Sequence, residues 1–187
     1  METELYKKTE QFVIDSFNKA GKSQSIKHFL RTVYWLKELN PQADEAMQIA
    51  AVAHDIERAF RQDDVMANIE KLSYTATEVL RPHEERGAEV IAEFLKQQNA
   101  DEQLIAKVKM LVSRHEEGGN DEQNLIKDAD SISFLENQIE HFLNVLVKQD
   151  GKEKIRGKFD WMFNRITSEK AKQIARPWYE NALKKLD

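Results

Sequence analysis

The sequence predicts an all-α protein, a helical bundle with a C-terminal helical extension, and three observations predict it. Among 187 residues there are only six Gly and three Pro, too few for the many turns of a sandwich or barrel. Apolar residues recur at the three- and four-residue spacing of one helix face. No stretch alternates apolar and polar residues as a half-buried strand would. The length fits about one domain, large enough to bury about two-thirds of its unfolded surface.

The elements follow in order. Leu5, Phe12, Val13 and Phe17 set a first helix over 3–20, stopped by Gly21. Ser23 or Ser25 can cap a second helix carrying Ile26, Phe29, Leu30, Val33, Leu36 and Leu39, which Asn40-Pro41 ends. A third spans about 43–59, and its centre, Ala46 to Ala53, is apolar nearly all round, so it is buried on most sides. A short helix at 63–72 and a loop lead to Arg81. Pro82 fits the first turn of a helix to about Gln98. Asp101 can cap the next, to Glu116, before Gly118-Gly119. Periodicity resumes from Asp121 to about Lys148, and two further helices fit 152–166 and 168–186. These read as one domain over 1–187, with a core at about 22–148 and C-terminal helices at about 152–186.

Composition closes several routes. There is no cysteine, hence no disulfide framework, thiolate metal site or cysteine nucleophile. No apolar run reaches the ~18 residues of a membrane span, and the first residues lack a signal peptide's apolar core. A cytoplasmic location and no membrane partner are therefore expected. The net charge of −5 is uneven: residues 1–147 hold 17 Lys+Arg against 27 Asp+Glu, and residues 148–187 hold 11 against 6. The acidic part argues against a nucleic-acid partner.

Any metal must be held by His, Asp and Glu. His54-Asp55 follows the most apolar segment, where a carboxylate is costly unless paired or metal-bound. Taken alone, the dyad reads equally as a satisfied polar pair. His28 lies inside the second helix, His83 follows Pro82, His115 precedes the Gly pair, and Asp130 sits in Lys127-Asp128-Ala129-Asp130. Imidazole and carboxylate together suit Fe, Mn, Co, Ni or Zn. His141 lies outside these segments and reads as a surface residue.

The ordered set His28, His54-Asp55, His83, His115, Asp130 resembles the HD-domain metal-dependent phosphohydrolase superfamily, whose pattern is H…HD…H…H…D on a helical bundle. Ser25-Ile26-Lys27-His28, Ala50 to Asp55, His83 to Glu89, Ser113-Arg114-His115 and Lys127 to Asp130 carry the resemblance, which covers roughly 22–148. It implies two divalent transition metals: iron or manganese first, with cobalt, nickel, zinc or magnesium as alternatives. His28, His54, Asp55 and Asp130 would hold one, and His83, His115 and a bridging Asp55 the other. The family's pattern selects Asp130 over Asp128. It also implies a metal-bound hydroxide attacking a small phosphoester, a nucleotide being the leading case. Asp55 and Arg58 are the expected catalytic residues.

Arg31, Arg58, Arg86, Arg114 and Lys127 stand one or three residues from these ligands. Each alone reads as an ion-pair partner; as a group they suggest substrate phosphate contacts, with Arg31, Arg86, Arg114 and Lys127 as the binding set. Glu57 is one position off the acid found after the dyad in single-metal relatives, so it is not assigned as a catalytic acid. The same six ligands also resemble those of di-iron HD-domain oxygenases acting on small polar or phosphonate substrates. That alternative stays open, as does a homodimer.

Overall fold

The computed structural model describes residues 3–61 and 76–186. Among them all regular structure is helical, with no strand. Helix α1 (Glu4–Lys19) starts where the Thr3 hydroxyl accepts from the Tyr6 amide. It stops at Gly21, whose φ of 68° turns the chain so that Lys22 N–H donates to Phe17 O. Helix α2 (Ile26–Leu39) is entered through a tight turn at Ser23–Ser25, and neither serine caps it through its side chain. Ser25 already has helical dihedrals (φ −79°, ψ −19°), whereas a capping side chain needs extended backbone.

The helix expected over 43–59 is two. Asp44 caps α3 (Glu45–Ala53) by accepting from Met47 N–H. The chain then turns at 54–56 before α4 (Glu57–Phe60). The short helix expected at 63–72 lies outside the described residues. Helix α5 (Thr77–Gln97) starts earlier than Pro82 suggests and holds that proline in its interior, at the loss of one i→i−4 hydrogen bond. Helix α6 (Glu102–Val112) is capped by Asp101 but ends before His115, which lies in the turn that follows.

Helix α7 (Asp121–Asn137) opens with a reciprocal capping box between Asn120 and Gln123. The expected continuation to Lys148 is instead broken at Gln138 into Ile139–His141, a π-type turn at Phe142–Leu146 and Val147–Asp150. Helices α8 (Lys152–Asn164) and α9 (Glu169–Leu186) complete the chain.

Two apolar clusters hold the helices. The first joins α1, α2, α3, α5 and α6, with Phe17, Phe29, Leu36, Ile49, Ile91 and Leu111 at its centre. Ala50, Ala51 and Ala53 are fully buried in it, and their small side chains let neighbouring backbones approach α3 closely. The second joins α8 and α9 through Phe159, Met162, Ala171, Ala175 and Ala182. Helix α7 belongs to both: Ile126 and Ala129 to the first, Ile132, Phe134 and Leu135 to the second. It packs along α2 and α9. Among the described residues no helix is long and apolar enough to cross a membrane.

Candidate metal centre

The break between α3 and α4 places His54 and Asp55. Helix C-termini leave their last carbonyls without intrahelical partners, and His54 Nδ1 lies 2.9 Å from Ala51 O. The turn after α6 uses the same device, with His115 Nδ1 2.8 Å from Val112 O. A carbonyl only accepts, so in both rings Nδ1 carries a proton and Nε2 faces inward. His28 Nδ1 lies 2.8 Å from Ser133 Oγ, whose own hydrogen goes to His28 O at 2.7 Å. His83 Nδ1 lies 2.8 Å from Glu57 Oε2. All four imidazoles are therefore oriented through Nδ1 and converge through Nε2, as metal-ligating histidines are when an outer partner fixes the tautomer.

Asp55 is the meeting point. One ligand atom each from His28, His54 and Asp55 lie within 4.8 Å of one another, and so do atoms of Asp55, His83, His115 and Glu116. Asp130 Oδ1 is 3.1 Å from His28 Nε2 and 3.4 Å from His54 Nε2. All these side chains are buried. The Nε2 atoms of His54 and His115 have no hydrogen-bond partner among the described residues. Buried polar atoms are nearly always satisfied, and here the missing partner fits a cation. These buried His, Asp and Glu groups could hold a metal ion.

The electrostatics follow from crowding. Burial raises the Asp55 carboxyl, but Arg58 and His54 outweigh it and hold the group well below the usual carboxylate range. Burial lowers His54, yet Asp130 and Asp55 carry it up to about 9. His115 is held down at about 4, by burial first and then by the charges of His54 and His83, against the pull of Glu116. Burial raises Asp130 too, but Arg165 and His54 keep it ionised.

The expected ligands thus come together: His28, His54, Asp55, His83, His115 and Asp130 form one buried cluster. The expected substrate cations divide. Arg58 lines the adjoining cavity and pairs with Asp55 at 2.9 Å. The others do not line the cavity and are engaged with acceptors of their own. Arg31 forks onto Glu136, Arg86 onto Glu57, and Arg114 pairs with Glu117. Lys127 donates to Glu117 O and Asn124 Oδ1. Glu57 orients His83 and also binds Arg61, a positioning role that leaves no free acid.

Asp128 turns away from the cluster and accepts from the amides of Thr167 and Ser168, at 2.7 and 2.8 Å, ahead of α9. Asp128→Ala would strand two amide donors and is expected to cost about 2 kcal/mol. Urea denaturation checks this, with unchanged metal content separating it from a ligand's loss.

Three further residues join the centre: Glu116 and Lys158, which no sequence signal singled out, and Arg165, one of four C-terminal basic residues (with Lys170, Lys172 and Arg176) that the sequence leaves open between lining the pocket and facing solvent. Glu116 joins the second ligand group, and Arg165, from beyond α8, pairs with both Glu116 and Asp130. Arg165 also donates to Ser131 Oγ at 2.8 Å and stacks on Trp161. The third is Lys158, on the wall of the cavity above the cluster. That cavity measures about 710 Å³. Its floor includes His28, Asp55, His83, Glu116 and Asp130; its walls carry Arg58, Arg61, Lys154 and Lys158 beside Val79, Leu80, Phe134, Phe142, Leu146 and Met162. His141, expected simply at the surface, is exposed but also lines it.

A family model described as a domain of unknown function, DUF4202, matches residues 10–186. No curated protein and no solved structure matches the chain.

Proposed function

The chain belongs to the DUF4202 family, and we propose that within it this protein is a two-metal phosphohydrolase of the HD type acting on a small phosphoester, with nucleotides as the leading class. The observation that carries this reading is the pair of buried ligand groups sharing Asp55 beneath a cation-lined cavity. His28, His54, Asp55 and Asp130 would hold one divalent ion. Asp55, His83, His115 and Glu116 would hold the other. When bound, such a pair lowers the pKa of water and offsets charge on phosphoryl oxygens.

The chain's own groups supply the rest. Arg58 is 44% exposed along its side chain while its Nε rests on Asp55 and one outer nitrogen lies 3.8 Å from Glu116 Oε1, so the guanidinium edge facing the cavity can still meet an anionic oxygen there. Glu57 and Ser133 hold two imidazoles in register through Nδ1. Arg165 occupies Asp130 Oδ2 and Glu116 Oε2, which leaves Oδ1 and Oε1 turned towards the histidines. The cations on the wall favour an anionic substrate over an uncharged polar one, which suits a phosphoester and, among oxygenase substrates, only a phosphonate. Elemental analysis of protein purified without added metal, followed by a phosphoester and nucleotide panel with Mn²⁺ or Fe²⁺, tests the reading. Turnover lost in His54→Ala supports it; two bound metals with no turnover across the panel would sink it.

The same site implies proton release. His54 without metal is protonated up to about pH 9, and a metal takes only the neutral ring. Below that pH, binding must expel the proton, so affinity is expected to rise as pH approaches 9. Titration calorimetry at pH 7 in buffers of different ionisation enthalpy should show a buffer-dependent heat. Equal heats in all buffers would contradict it.

A further inference from the structure

Helix α8 turns one face to the cavity. Lys154, Lys158 and Met162 follow at four-residue intervals and all line it, as the helical period dictates. Lys158 differs from the other cations there. It is 8% exposed, yet among the described residues no oxygen accepts a hydrogen bond from its ammonium. What its Nζ has are two aromatic faces, with the ring centre of Trp161 at 4.5 Å and that of Phe134 at 5.5 Å. Ring faces attract a cation but take none of its three N–H donors in an ordinary hydrogen bond, so the ammonium opens on the cavity with those donors still to be met.

The neighbours show the contrast. Lys154 has Asp150 at 2.9 Å, Arg58 has Asp55, and Arg165 has Asp130 and Glu116. Burial lowers Lys158 to about 8, and Arg165 and Arg58 add to this against the pull of Glu116. An oxyanion entering the cavity would give the ammonium the partner it lacks. The reacting group already has a cation in Arg58 beside Asp55, whereas Lys158 stands on a different helix, one turn from Lys154 on the same cavity-facing side.

We propose that Lys158 is the receptor for an oxyanion carried by the substrate outside the group that meets the metals, either a second phosphate or a carboxylate. The inference rests on the phosphohydrolase reading and narrows it to substrates with two anionic groups.

Calorimetry on the protein loaded with Mn²⁺ tests it. The probes are ethyl phosphate, alkane α,ω-bisphosphates of two to five carbons, and the matching phosphocarboxylates. Wild type should bind the best two-anion probe at least about tenfold more tightly than ethyl phosphate, since a charge-assisted hydrogen bond contributes that much. K158M keeps the length and apolar stem and should lose the preference with metal content unchanged; K158R should regain most of it. The better series identifies the second group as phosphate or carboxylate. Absence of a preference in wild type, or the same preference in K158M, overturns the role of Lys158. Failure of every probe, ethyl phosphate included, to bind the loaded protein would instead sink the phosphohydrolase reading itself.

Discussion

Asp55→Asn is expected to empty both halves of the metal centre at once. Asp55 is the one residue present in both ligand groups, and its carboxylate is the charge around which Arg58, His54 and His83 gather. Substituting an outer partner of a ligand commonly costs ten- to a hundredfold in metal affinity. Removing the charge of a shared ligand should exceed that, so both ions should bind at least about a hundredfold more weakly. His115→Ala provides the contrast, because it belongs to the second group alone. Elemental analysis after equilibrium dialysis should find two ions in wild type, about one in His115→Ala and neither in Asp55→Asn. An Asp55→Asn protein that keeps two ions would refute the shared-ligand arrangement.

Arg165→Met is expected to produce the largest loss of stability in the metal-free protein. The guanidinium is buried and pairs with Asp130 and Glu116, which are buried in turn. Taking away one partner of a buried ion pair leaves uncompensated charge and costs about 3–5 kcal/mol, a large part of a total near 5–15 kcal/mol. Methionine fills much of the volume over Trp161, so the loss is mainly electrostatic. Two further measurements separate this from a packing defect. Adding Glu116→Gln to Arg165→Met should restore part of the stability, as coupled residues do in a double-mutant cycle. Saturating Mn²⁺ should narrow the gap to wild type, because the bound cations replace the missing charge. A strictly additive double mutant, no better with metal, would contradict both.

The fold was legible because helical periodicity is a local signal that tertiary contacts here reinforce. Its breaks were less so. The Ala-rich run through Ala53 continues smoothly into Ile56 and Ala59, and nothing in it announces that the chain leaves the helix at His54; the imidazole bond to Ala51 O and the burial of Asp55 decide that. Pro82 reads as a first-turn residue, yet α5 accommodates it internally.

At the site, a pattern of residue types in order is readable, since four of the five histidines, His28, His54, His83 and His115, are brought together by the helix or turn that carries each. The cations are not. Sequence spacing sets Arg31, Arg86 and Arg114 near a histidine, but does not tell that Glu136, Glu57 and Glu117 will pair with them. Arg165 and Lys158 come from a segment without motif, and only the docking of α8 and α9 on α7 brings them to the centre. Glu116 was masked by its neighbour His115. Its buried carboxylate could have been suspected only if the end of α6 had been placed at Val112.

His28 and Ser133 are bonded across 105 positions of chain, and this separation has a bearing on how the protein is made. When His28, His54 and Asp55 leave the ribosome, the residues that complete their shell are still unsynthesised. Closing so long a loop is slow compared with forming the helices themselves. A half-made chain presents scattered imidazoles with little geometric preference, open to whichever ion the Irving–Williams order favours. Coordination geometry can discriminate among ions only after α7 has docked on α2. If these groups hold metal ions, selection among them would therefore belong to the finished fold rather than to the growing chain.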